Sequence, residues 1–348
     1  YKRQEIQRSK YGVSENRSKL LPQINAIAGY SNNFDPPVSV TDGSSYGVPY
    51  NITQTLQHSA NAGLEMQMPL FNQTLYTSMS IAKVMEEISR LSYGKAREDV
   101  ILQISKMYYL GQVTAEQIML IKANITRLEE LRDITQAFFD NGMSMEVDLK
   151  RVNINLENLK VQYDNAQAMM KQQLNMLKYI MDYPAEKEIA LTPVNTDSIT
   201  TVALTGLSEN IYELQLSQSQ VQLAERQKKI ITNGYIPSLS LTGSWRYAAY
   251  TDKGYHWFHS GPSNQWFRSY GVGLTLRIPI FDGLDKTYKI KKAMIDIENK
   301  RLAWEDARKN LQTQYLNAVN DLMNNQRNFK KQKDNYLLAE DVYAVTSD

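Results

Sequence analysis

Two parts of this chain alternate apolar and polar residues with a period of two. From Pro22 to Tyr30, Ile24, Ala26, Ala28 and Tyr30 fall on one side, with Gln23, Asn25 and Ser31 on the other. After a loop rich in Gly, Pro, Ser, Asn and Tyr, Leu64, Met66, Met68 and Leu70 oppose Gly63, Glu65 and Gln67. Farther on, Leu239, Leu241, Trp245 and Tyr247 oppose Ser238, Ser240, Thr242, Ser244 and Arg246. A second loop, at 248–267, carries Tyr250, Tyr255, Trp257, Phe258, Trp266 and Phe267. Tyr270, Val272, Leu274, Leu276, Ile278 and Ile280 then oppose Gly271, Gly273, Thr275 and Arg277. Successive strand residues point to opposite faces, so each segment predicts a strand with one apolar and one polar face.

The strands repeat as pairs. Leu21-Pro22-Gln23-Ile24 is echoed by Ile236-Pro237-Ser238-Leu239, and Met68-Pro69-Leu70-Phe71 by Ile278-Pro279-Ile280-Phe281, about 210 residues later. An internal repeat outranks any local motif as a guide to architecture.

Between the strand pairs the period becomes helical. No proline interrupts 73–139, and Ile118, Ile121, Ile125 and Leu128 recur at steps of three and four. A helix of that length is about 100 Å long. Asn141-Gly142 ends it, Gly being the usual residue past a helix C-terminus. A heptad seam follows: Val152, Leu156, Leu159, Tyr163, Ala166, Met170, Gln173, Leu177 and Ile180, polar only at Gln173. Residues 139–143 are therefore the tip of a helical hairpin.

The expected organisation is a first repeat over 1–181, a linker over 182–207, and a second repeat over 208–348. The first repeat holds a helix, strands at about 22–31 and 62–70, and a helical hairpin over 72–181. The second holds a helix, strands at about 237–247 and 269–280, and a long helix over 284–348. By analogy with the first copy, its hairpin tip and return helix are expected beyond Asp348. The start at Tyr1, without Met, is expected to reflect processing or truncation.

Composition narrows the function. The chain has 348 residues, 42% of them hydrophobic, a net charge of +2 and no cysteine; its mean hydropathy is −0.47. No basic block suggests nucleic acid as a partner. Absence of cysteine suits an oxidising compartment. No run of ~18 apolar residues offers a transmembrane helix, but barrel strands leave only a weak alternating signal. His58, His256 and His259 are the only histidines; His256 and His259 are spaced for a surface metal site, but no Cys or carboxylate cluster completes a ligand set. No cofactor-binding, metal-binding or catalytic residues are expected.

Strands with one apolar face suit a sandwich, apolar inward, or a membrane barrel, apolar outward. Aromatics near the loop ends (Tyr30, Tyr247, Tyr250, Trp257, Trp266, Tyr270) fit either loop packing or the interfacial girdle of a barrel. Four strands cannot close a barrel and lipid tolerates no open sheet edge, so a membrane barrel requires several chains.

With its duplicated strand entries at 21–24 and 236–239, its exits at 69–71 and 279–281, and its tip at 139–149 (FDNGMSMEVDL), the chain resembles the TolC family of outer-membrane channels. The resemblance implies an α+β membrane protein: long α-helical coiled-coil hairpins plus four antiparallel strands per chain. Three chains would form a homotrimeric, twelve-stranded outer-membrane barrel above a periplasmic helical tunnel. It implies outer-membrane lipid, a periplasmic adaptor (a membrane fusion protein) and an inner-membrane pump or ABC exporter as partners. The function implied is the passive exit duct of a tripartite efflux pump for drugs or other small molecules. The outer component of a type I protein-secretion system is the alternative within the fold, and a soluble coiled-coil scaffold the alternative outside it.

The implied tip residues, for adaptor docking and pore closure, are Gly142, Met143, Asp148 and Leu149. Asp148 equally fits a plain helix N-terminal acid. Glu65, Gln67, Arg246, Thr275 and Arg277 are expected in the lumen, as selectivity groups or merely as solvated polar positions. Leu64, Met66, Leu241, Trp245, Tyr247, Leu274 and Leu276 are expected to face lipid or its interface.

Overall fold

The computed structural model describes residues 1–35, 39–47, 52–54, 57–193, 208, 210–251 and 266–347. The elements are α1 (Lys2–Ser18), β1 (Gln23–Asn32), β2 (Ser39–Thr41), β3 (Ile52–Gln54), β4 (His58–Phe71), α2 (Gln73–Asp140), α3 (Glu146–Ile180), α4 (Tyr212–Asn233), β5 (Ser238–Thr251), β6 (Trp266–Arg277) and α5 (Asp285–Ser347). No described helix is long and apolar enough to cross a membrane. The chain divides into two compact units.

The first unit, residues 1–92 and 209–312, holds a four-stranded antiparallel sheet in the order β1-β4-β5-β6. Each half of the internal repeat is a hairpin, and β4–β5 pairing joins the halves. A small β2–β3 ladder lies in the loop between β1 and β4. Pro22 and Pro237 stand just before β1 and β5, where a missing N–H breaks no ladder bond.

The strand bounds differ from those expected, for local reasons. β4 starts at His58, four residues early, because Ser59, Ala60 and Asn61 give little hydrophobic signal yet pair with β1 on one side and β5 on the other. At its other end, the register slips between Pro69 and Phe71, and Phe71 pairs with Leu239. The slip makes Leu70 the extra residue of a bulge, correcting its place in the alternation. β6 ends at Arg277, so Ile278 and Ile280 are not strand residues. Pro279, two residues on, has no N–H to donate. Tyr255, Trp257, Phe258, His256 and His259 lie outside the described residues.

Helices leave the sheet through side-chain caps. Asn72 Oδ1 accepts from the N–H of Thr74 at 3.0 Å and of Leu75 at 3.3 Å. At the equivalent place in the second repeat, Asp282 Oδ2 accepts from Lys286 N–H at 3.2 Å. These bonds occupy donors that a helix start otherwise leaves open. Within the same unit, buried Asn233 on α4 donates to buried Thr77 on α2 at 2.6 Å, and Thr77 Oγ1 donates to the Gln73 carbonyl at 2.9 Å. Ala82, Leu91, Ala224 and Ala293, on the helices of this unit, are also buried. Mostly small, they permit close helix approach.

The second unit, residues 93–208 and 313–348, contains the helical hairpin. All nine seam positions of α3 are buried or half-buried, with Leu156, Ala166 and Leu177 deepest. On α2, Ile121 is buried and Ile118, Ile125 and Leu128 half-buried. Ile118 shares a cleft with Met170 and Leu174 of α3. The described part of the linker lies on α2: Gln112 Nε2 donates to the Thr192 carbonyl at 2.6 Å, and a Cβ on Gly111 would lie 2.8 Å from Leu191 Cδ1.

Candidate functional site

The ladder registers sort every strand side chain onto one of two faces. Cross-strand partners share a face, and residues two apart along a strand share it too. One face carries Ile24 and Ala26 on β1, Leu64, Met66 and Met68 on β4, Leu239, Leu241, Trp245 and Tyr247 on β5, and Tyr270, Val272, Leu274 and Leu276 on β6. All seven residues expected at lipid or its interface thus fall together. The face turns polar only toward the loop end. There Arg268 pairs with Tyr247, and His58 stands between Asn32 and Thr251. Tyr30 stacks on His58 with its hydroxyl 2.9 Å from Nδ1. Trp245 and Tyr247 meet edge to face at 5.3 Å.

The opposite face collects Asn25, Glu65, Gln67, Ser240, Thr242, Ser244, Arg246, Thr275 and Arg277. All five residues expected in a lumen share it. Tyr250 and Phe267 lie on this face too, which corrects Tyr250 as a member of the same belt as Tyr30 and Tyr247. The reason is parity, since Tyr250 is an odd number of residues from Tyr247.

Glu65 and Arg246 form an ion pair at 2.5 Å, both about half exposed. They are diagonal neighbours, because Glu65 opposes Ser244 and Arg246 opposes Gly63. Gly63 is the residue missed by pattern alone. A Cβ there would lie 2.4 Å from the Trp245 carbonyl oxygen and 2.9 Å from Arg246 Cα. Beside the pair, Thr242, Ser244, Gly271 and Gly273 line an open cleft of about 510 Å³ with Asn25 and Gln67. The hydroxyl of Thr242 donates to the Gly273 carbonyl at 3.2 Å, so it is tied down along the ladder. Arg277 has no partner among the described residues.

The tip is built by backbone bonds. Gly142 has φ +70°; its N–H donates to Phe139 O at 2.9 Å, and Met143 N–H donates to Phe138 O at 2.8 Å. This crossed pair satisfies the last carbonyls of α2 and needs a left-handed residue at the turn. Met143 and Met145 are exposed. Asp148 lies in the first turn of α3, exposed, 3.8 Å from Arg151, whereas Leu149 turns inward. Glu146 donates nothing and accepts from Lys150 at 2.7 Å; that hydrogen bond holds its carboxyl below the ordinary range.

The profile of the outer membrane efflux protein family matches residues 2–181. The chain belongs to this family. The membership places it in the outer membrane. Outer membrane protein TolC of Vibrio cholerae is 21% identical over 319 residues, covering 89% of this chain. The chain spans 66% of that relative's length. Among solved structures, the CusC channel superposes with a TM-score of 0.72 at 16% identity, over 94% of this chain and 74% of its own. The outer-membrane channel OprN superposes with a TM-score of 0.69 at 13% identity, over 93% and 69%. At these identities the superpositions establish the α+β channel fold. Membership of an outer-membrane family sets the soluble scaffold aside.

Proposed function

We propose that this chain is one third of the wall of a passive outer-membrane exit duct in a tripartite efflux assembly. The observation that carries this reading is the two-faced sheet with both outer edges open. Among the described residues, β1 pairs only with β4, and β6 only with β5. An open edge in hydrocarbon leaves rows of N–H and C=O groups unpaired, which membranes exclude. Three copies supply twelve strands and close the edges, apolar face outward. From Leu276 to Trp266, at ~3.4 Å per residue and ~40° tilt, the outward band is about 25 Å tall, matching the apolar girth of membrane barrels.

In this reading the lumen is lined by Glu65, Gln67, Arg246, Thr275 and Arg277. The exposed tip, with Gly142, Met143 and Asp148 at its surface and Leu149 packed beneath, docks a periplasmic adaptor and through it an inner-membrane pump or ABC exporter. No residue performs chemistry in this reading; the energy comes from the partner pump.

The test is a gene deletion with complementation. Loss of the full-length protein should raise sensitivity to small toxic compounds, and restoring it should reverse this. Loss of a secreted protein without any change in sensitivity supports the type I secretion alternative instead. A single-chain mass in detergent, by light scattering, would overturn the trimeric duct.

A further inference from the structure

We infer that Arg277 sets the charge preference of the duct, making the helix-side mouth of the barrel favour small anions. The inference rests on the duct reading, because it needs the polar face to line a lumen.

Among the described strand residues, the polar face carries three charges: Glu65, Arg246 and Arg277. Glu65 and Arg246 neutralise each other at 2.5 Å. Arg277 is left. It stands opposite Ser238 at the helix-side end of β6 and is exposed. The intervening rows toward the ion pair hold Thr275 with Ser240 and Gly273 with Thr242, none of them acidic. Glu65 lies in the row of Ser244 and Gly271, about 20 Å along the strand from Arg277. That exceeds the ~8 Å screening length at physiological salt, so Glu65 does not offset Arg277.

The carboxylates that follow β6 are engaged elsewhere. Asp282 Oδ2 lies 3.2 Å from Lys286 Nζ, and Asp285 Oδ2 lies 2.7 Å from Lys289 Nζ. Below the first repeat, Glu15 faces Lys19 at 3.6 Å. Arg277 is therefore the uncompensated charge of the polar face at this end.

Three copies place three such cations around one ring. Twelve strands at ~4.8 Å spacing and ~40° tilt give a radius of about 12 Å. Three unit charges at that distance in water enrich a monovalent anion on the axis by roughly threefold at 10 mM salt. At 1 M salt the screening length falls to about 3 Å, and the enrichment disappears.

The test is single-channel recording of the full-length protein in planar bilayers under a KCl gradient, reading the anion-to-cation permeability ratio. At about 10 mM salt, R277Q should lower the ratio by roughly tenfold, since threefold anion enrichment comes with threefold cation depletion, R277E should lower it further, and R277K should keep the wild-type value. At 1 M salt all four should coincide. The E65Q/R246Q double variant, which removes the neutral pair, should leave the ratio unchanged. An R277E channel of wild-type ratio at low salt overturns the assignment, as does an E65Q/R246Q channel that shifts as much as R277Q. Absence of any conductance in the wild type instead overturns the duct reading beneath it.

Discussion

At single residues, backbone geometry decides more than side-chain chemistry. Gly142 has φ +70°, where a Cβ costs about 1–2 kcal/mol. Gly142→Ala should therefore accelerate amide exchange at Met143 by roughly tenfold, with Gly142→Asn milder. Equal exchange in all three proteins would remove the strain argument. Asp182 ends α3 in the same conformation, with φ 53° and Tyr183 N–H donating to Lys178 O at 2.9 Å. Replacing it with Gly should slow exchange there, since Gly meets no Cβ penalty. Glu146 supplies a pH signature. Its folded pKa lies below the ordinary 4.5 because Lys150 donates to it. The stabilisation is thus full above that ordinary value and lost as pH falls through the depressed one. An NMR titration of the α3 N-terminus should show fraying that sets in below pH ~4.5, and E146Q should remove this pH dependence; an unaltered profile in E146Q would assign the fraying elsewhere. Gly142 was legible in the sequence as a helix stop, while Asp182 was not, because nothing in its neighbours distinguishes αL from αR.

For elements, the test is which face of the sheet accepts a charge. Leu241 and Leu274 are cross-strand partners on the apolar face, and Ser240 and Thr275 are partners on the other. Arg at Leu241 or Leu274 should impair membrane assembly, because a lipid-facing charge near the midplane costs about 2–4 kcal/mol. Arg at Ser240 or Thr275 should assemble normally, as read by protease-resistant protein in isolated outer membranes. Matching yields for all four variants would contradict the outward-apolar orientation. These faces were legible because alternation is a strict period of two, and the α3 seam because its heptad is long. Bulges and frayed edges were not: the slip at Leu70 and the early start of β4 depend on what the partner strand offers, and Ser59-Ala60-Asn61 matches a loop as well as a strand. Gly63 was equally hidden, since its need for a bare Cα arises from the β5 backbone at Trp245 and Arg246, far along the chain.

For the whole molecule, the prediction concerns concentration. The described residues bury few large side chains, Leu156 at 2% exposure being the deepest, and the sheet keeps two open edges. In the proposed trimer the copies cover what one chain leaves open, so the melting midpoint in detergent should rise with protein concentration. A midpoint constant over a hundredfold dilution would speak for a self-sufficient monomer. The sequence by itself determined the repeat, the two faces of each strand, the long helices and their tip, because periodicity and glycine punctuation are local properties of the chain. Only the tertiary structure decided which residues meet: that β4 joins the halves, that Glu65 reaches Arg246, and that Arg277 has no partner among the described residues. Those facts depend on register between strands far apart in sequence, and a pattern within one strand carries no information about the offset of the next.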